Sequence, residues 1–146
     1  MRIATPEAMR ALGERIAAEL QAGDLVLLIG PLGTGKTTLA QGIGEGLGVS
    51  GVVSPTFVIA RVHTGGRLAL VHVDAYRLSS IVEIDDLDLD ASLDESVTLV
   101  EWGEGLVEGL SDDRLEVRIA RSDKTEQREV ELIGVGARWA SSPLVG

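Results

Sequence analysis

Leu25-Val26-Leu27-Leu28-Ile29-Gly30-Pro31-Leu32-Gly33-Thr34-Gly35-Lys36-Thr37 is the stretch that decides the fold. Its first five residues are apolar without alternation, the pattern of a strand covered on both faces, as in the middle of a parallel sheet. Residues 30–37 then satisfy G-x-x-x-x-G-K-[ST] in the strand-then-helix context that a phosphate-binding loop requires. The glycines leave room for backbone amides to approach phosphate oxygens, because no Cβ stands in the way. The helix opening near Lys36 adds unsatisfied N–H groups and the positive end of its dipole. Lys36 is one of two lysines in the chain. Its ammonium is placed to neutralise β- and γ-phosphates, and the Thr37 hydroxyl to ligate Mg²⁺.

Working outward, a chain of 146 residues is about one domain's worth. We expect a single α/β unit of the P-loop NTPase fold over residues 1–135, followed by a weakly ordered tail over 136–146. The sheet is expected to be mainly parallel, with an antiparallel hairpin at one edge. The formal charge of −10 speaks against a broad nucleic-acid groove, which rests on Lys and Arg neutralising phosphates. Phe57, Tyr76, Trp102 and Trp139 are the whole aromatic complement, too scattered for a base-stacking platform. Any service to nucleic acid would therefore pass through a partner. Cysteine is absent, which removes disulfides and thiolate metal sites. No apolar run reaches the ~18 residues of a membrane span, and residues 1–7 do not lead into a signal-peptide core. The expectation is a cytoplasmic protein.

In chain order, Thr5-Pro6-Glu7 reads as a helix start: an N-cap hydroxyl, proline at the first helical position, then an acid that complements the dipole. Leu12, Ile16 and Leu20 continue at helical spacing, with Gly23 placed to end the helix. A second helix spans 38–47 and carries Gly42, Gly44 and Gly46, with Gly48 as its stop. Each internal glycine costs about 1 kcal/mol against alanine, so either close packing recovers it or the helix is soft. Residues 58–63 and 67–74 form a hairpin about Gly65-Gly66, residues 97–101 a buried strand, and 114–121 with 128–135 an alternating edge hairpin.

Two apolar strands end in acids, Asp74 and Glu101. In an open α/β sheet the carboxyl ends of the strands form the ligand edge, where the phosphate loop also emerges. Either acid, or both, can reach a metal shell or position water. Ser54-Pro55-Thr56-Phe57 offers two hydroxyls before a strand, although Ser-Pro is also ordinary turn chemistry. His63 and His72 read as strand positions, lacking the partner spacing of a metal site. The acidic run Asp86-Leu87-Asp88-Leu89-Asp90 fails as a calcium loop, because Ala91 stands where glycine is needed and Val97 where an acid is needed. Asparagine is absent, which excludes the Asn-Lys-x-Asp guanine reader and favours ATP.

Taken together, residues 30–38, Ser54-Pro55-Thr56-Phe57, His72-Val73-Asp74-Ala75-Tyr76-Arg77-Leu78 and Glu101-Trp102 resemble, in order and spacing, the TsaE family. These are small bacterial ATPases of tRNA threonylcarbamoyladenosine biosynthesis. The resemblance implies that Pro31, Leu32, Gly33, Thr34, Gly35, Lys36, Thr37 and Thr38 hold ATP, with Thr37 and Glu101 ligating Mg²⁺. It implies that Thr56 and Asp74, with Lys36 and Glu101, serve hydrolysis, and that Trp102 lies beside the nucleotide. It adds Thr5, Pro6 and Arg128 as purine or phosphate neighbours. Two departures stand out: Gln127-Arg128 where the family often has Gly-Arg, and Gly103 where proline often follows the tryptophan. The implied role is slow, partner-stimulated ATP hydrolysis serving a two-protein threonylcarbamoyl transferase, with tRNA contacted only indirectly. The residues alone also admit a small-molecule kinase, with Asp74 as base, and a non-hydrolytic ATP-gated binding module.

Overall fold

The apolar run 25–29 forms a strand around which the other elements are arranged. The computed structural model describes residues 2–30, 35–49, 60–74, 96–101, 113–121 and 127–140, with Ser142 and Leu144. In chain order these give β1 (Arg2–Ile3), α1 (Pro6–Glu19), β2 (Leu25–Ile29), α2 (Lys36–Leu47), β3 (Ala60–His63), β4 (Ala69–Asp74), β5 (Ser96–Glu101), β6 (Arg114–Arg121), β7 (Arg128–Val135) and a 3-10 turn at Ala137–Trp139. Among the described residues the strands form one sheet in the order β1-β7-β6-β2-β5-β4-β3. The inner strands β6, β2, β5 and β4 run parallel. Strands β7, β1 and β3 join antiparallel. The expected α/β architecture, with a mainly parallel sheet and the 114–135 hairpin toward one edge, is therefore present. Antiparallel pairing recurs at the other edge, where Gly65-Gly66 joins β3 to β4.

Burial explains why β2 lacks alternation. Leu25, Val26, Leu27 and Leu28 all have 0% exposure, so both faces of the strand are covered. Val26 and Leu28 share one core with Leu115 and Val117, with Met9, Leu12 and Ile16 of α1, and with Leu39, Ile43 and Leu47 of α2. On β6 the apolar residues alternate with Arg114, Glu116 and Arg118. The buried Glu116 carboxylate accepts 2.9 Å bonds from Arg114 Nε and Arg118 Nη2.

Helix α1 begins where the sequence places it, with Thr5 Oγ1 accepting from Ala8 N at 3.1 Å and Pro6 in the first turn. Its end differs from the expectation. The helix stops at Glu19 with Leu20 as C-cap, and Gly23, at φ 93°, serves the following turn instead. No glycine cap is needed because side chains from elsewhere take the terminal carbonyls. Arg67 donates to Ala17 O (2.8 Å) and Leu20 O (3.1 Å), and Arg138 donates to Glu19 O (2.6 Å). The last turn of α1 has no basic residue of its own, so these two guanidiniums also supply the positive charge its dipole favours.

Close packing accounts for Gly42 and Gly46 of α2 and for Gly13 of α1. A Cβ at Gly42 would lie 2.2 Å from Arg10 O, one at Gly13 would lie 2.6 Å from Leu39 O, and one at Gly46 would lie 2.5 Å from the Ala17 Cβ. The two helices thus meet backbone to backbone. The hairpin turn docks in the same manner: a Cβ at Gly66 would lie 2.2 Å from Leu47 O, which also accepts from Arg67 N at 2.7 Å. Helix α2 opens at Lys36, where the loop motif places it and two residues before the 38–47 span read from its apolar pattern, and ends as expected on Gly48 at φ 84°.

Residues beyond Val135, read from the sequence as a weakly held tail, contribute to the core as far as Trp139. Its ring is 1% exposed and belongs to the main apolar cluster. Arg138 fixes the approach: Nε and Nη2 each lie 3.0 Å from an oxygen of the buried Asp24, and the guanidinium sits 4.2 Å from the Trp139 ring centroid.

Two stability measurements follow from this packing. Gly42→Ala gains about 1 kcal/mol of helix propensity but forces a methyl onto a carbonyl, an overpacking cost of about 1–3 kcal/mol. Urea unfolding should give a lower midpoint; an unchanged or higher midpoint would contradict the close approach of the helices. Trp139→Ala should cost about 3–5 kcal/mol in the same assay, and a cost near zero would mean that residues 137–139 are not part of the core.

Candidate functional site

The site is built where β2 hands over to α2. Gly30 follows the strand, while Pro31, Leu32, Gly33 and Thr34 lie outside the described residues. Gly35 resumes the chain at φ 98° as the N-cap of α2. A glycine has no side chain to cap with, so Gly35 makes no side-chain cap to the helix N-terminus. Lys36 is 6% exposed, and its Nζ donates to the carbonyl of Gly30, tying the end of the loop to its beginning. Thr37 is exposed and Thr38 half-buried on the same first turn.

The strand-end acids arrive beside this turn through the sheet register. Leu28 of β2 is paired with Glu101 of β5, and Glu101 with Asp74 of β4. Both acids therefore stand at the carboxyl edge of adjacent parallel strands, as the sequence predicts. For Asp74 the backbone position is what the structure describes. Thr56 and Trp102 lie outside the described residues.

Glu101 is 5% exposed and its Oε2 lies 2.6 Å from Nε2 of His72, which is 0% exposed. A carboxylate only accepts, so Nε2–H of the ring is the donor to Glu101. His72 is in register with Leu99, two residues before Glu101, so the glutamate reaches diagonally across the strand pair. Burying a carboxylate is costly unless hydrogen bonds replace its hydration, and His72 supplies one. The sequence reading took His72 as a plain strand position. A polar residue inside an apolar strand, two positions before a strand-end acid, was the available signal, but the pairing partner depends on a register that no local pattern encodes.

The weaker site candidates gather at the same edge. Ile3 of β1 pairs with Arg128 of β7, and Arg128 pairs with Arg121 at the carboxyl end of β6. Thr5 and Pro6 follow directly on β1. The first turns of α1 also reach the loop, since the Met9 Cε lies 3.5 Å from where a Gly35 Cβ would be. Thr5, Pro6 and Arg128 are thus brought to the phosphate-loop edge, with the Thr5 hydroxyl engaged in capping α1. A cleft of about 680 Å³ opens nearby between Gly30, Arg118, Glu131 and Leu144. Thr37 Oγ1 and the Glu101 carboxylate are hard oxygen donors, the type that suits Mg²⁺ or Ca²⁺.

Comparison with known proteins gives a consistent result. The TsaE family model, "Threonylcarbamoyl adenosine biosynthesis protein TsaE", matches residues 3–130. A Streptomyces coelicolor protein named tRNA threonylcarbamoyladenosine biosynthesis protein TsaE is 60% identical over 141 residues, covering 92% of this chain and 95% of the relative. A Bacillus subtilis protein of the same name is 40% identical over 140 residues, covering 94% and 87%. The crystal structure of Bacillus subtilis YdiB superposes with a TM-score of 0.79 at 34% identity, covering 95% of this chain and 86% of that one.

The Gly35 backbone offers a direct test of the helix entry. Gly35→Ala places a side chain in the left-handed region and should cost about 1–2 kcal/mol of unfolding free energy in urea titrations. A neutral or stabilising substitution would contradict the positive φ at the N-cap.

Proposed function

We propose a function from one premise: this chain belongs to the TsaE family and takes part in tRNA threonylcarbamoyladenosine biosynthesis. On that premise it is a Mg²⁺-dependent ATPase of low intrinsic rate, stimulated by a two-protein threonylcarbamoyl transferase. The observation that carries the reading is that buried Lys36 bonds the Gly30 carbonyl just past the end of β2, while the buried Glu101 is in register with Leu28 of that same strand. Phosphoryl transfer needs little covalent help from a protein and depends on positioning and charge neutralisation. In this reading the N-terminal amides of α2 and the loop 30–37 cradle the phosphates. Lys36 exchanges the Gly30 carbonyl for phosphate oxygens. Thr37 and Glu101 would hold a Mg²⁺, which would supply charge neutralisation for the phosphates when bound. Asp74 and Thr56 orient the attacking water, Trp102 flanks the nucleotide, and Thr5, Pro6 and Arg128 border it at the α1 and β7 side.

The acidic surface fits a division of labour in which the transferase pair, and not this chain, holds the tRNA. Among the described residues no helix is long and apolar enough to cross a membrane. Cytoplasmic placement belongs to the same proposal.

The test is ATP turnover with and without the transferase pair. Turnover should be slow for the isolated chain and rise with the pair. Lys36→Ala should remove about 10²-fold or more of the stimulated rate, in keeping with the loss of one preorganised charge-stabilising group. Fast turnover by the isolated chain, indifferent to the pair, would sink the proposal.

A further inference from the structure

We infer that His72 is a positioning residue that fixes the Glu101 carboxylate for a divalent cation bound with the nucleotide; this rests on the Mg²⁺-ATP reading above. The ring is fully buried in β4 between apolar Val71 and Val73, where a polar side chain is costly unless a partner compensates it. Its Nε2 contact at 2.6 Å to Glu101 Oε2 supplies that partner from the next strand. The Nδ1 atom is buried with no hydrogen-bond partner among the described residues. The ring is therefore held in this strand for one described polar contact, and that contact is with the carboxylate at the phosphate-loop edge.

The consequence is mechanical. A glutamate has three side-chain torsions before its carboxylate, and each must be fixed for the group to serve as a ligand. The hydrogen bond engages Oε2 and sets the plane of the carboxylate. Outer hydrogen bonds to metal-ligating groups act in this way, by orienting the ligand before the cation arrives. A leucine at position 72 would fill the space as well as the other apolar residues of β4 do, but would leave a buried carboxylate without the described donor. The sharp prediction is therefore confined to the metal-dependent part of nucleotide binding.

The experiment is calorimetric titration of the full chain with a non-hydrolysable ATP analogue, with and without Mg²⁺. The parent should bind more tightly with Mg²⁺. His72→Leu should lose about 10–100-fold of that Mg²⁺-dependent gain while its metal-free affinity stays as in the parent. His72→Gln, whose side-chain amide can donate from nearly the same position as Nε2, should recover most of it. If the leucine chain fails to fold, His72→Asn takes its place, since its shorter amide cannot reach Glu101. A Leu or Asn variant with the full Mg²⁺ gain, one that loses metal-free affinity equally, or a Gln variant with no recovery would each overturn the inference. No Mg²⁺ gain in the parent itself would overturn the metal reading, and the inference with it.

Discussion

Gly13 and Gly42 let α1 and α2 touch through their backbones, and the position of the site depends on that contact. A Cβ at Gly42 would stand 2.2 Å from Arg10 O, so the helix spacing is set by the absence of side chains. With α1 anchored at its far end by Arg67 and Arg138, the contact leaves α2 little freedom to slide. Its first turn is thereby held over the carboxyl edge of β2. Gly42 and Gly46, which weaken α2 as an isolated helix, permit the close approach that positions its first turn.

The second constraint is electrostatic. Lys36 and Glu101 are both buried at that edge, and each has a described polar partner: the Gly30 carbonyl for the ammonium and His72 for the carboxylate. Buried charges persist when hydrogen bonds replace their hydration. A phosphate-binding site needs its charges in place before the ligand arrives, since reorganising them during the reaction would forfeit much of their effect. The sheet supplies this by register: Leu28, Glu101 and Asp74 lie side by side on three adjacent parallel strands.

Much of this was legible in the sequence because the informative signals were local. The unbroken apolar run 25–29 specified a strand covered on both faces. Thr5-Pro6 specified a helix start, and the acids at 74 and 101 marked the carboxyl ends of two strands that prove to be parallel neighbours. What escaped depended on contacts between distant residues. Gly23 looked like the stop of α1, but Arg67 and Arg138 end the helix earlier by taking its carbonyls. Residues 137–139 looked like tail because three residues carry no periodicity, yet the bidentate Arg138–Asp24 pair leads Trp139 into the core. His72 looked like one more strand residue because its partner lies 29 positions away.

In the proposed function one nucleotide-metal site spans the start of α2 and the end of β5. A crystal structure of the chain with Mg²⁺ and a non-hydrolysable ATP analogue tests it most directly. The account predicts phosphates on the N-terminus of α2 contacted by Lys36, and a metal about 2.0–2.1 Å from Thr37 Oγ1, with Glu101 bound to that metal directly or through one of its waters. A nucleotide seated elsewhere, or a metal whose ligands and waters do not touch Glu101, would contradict it.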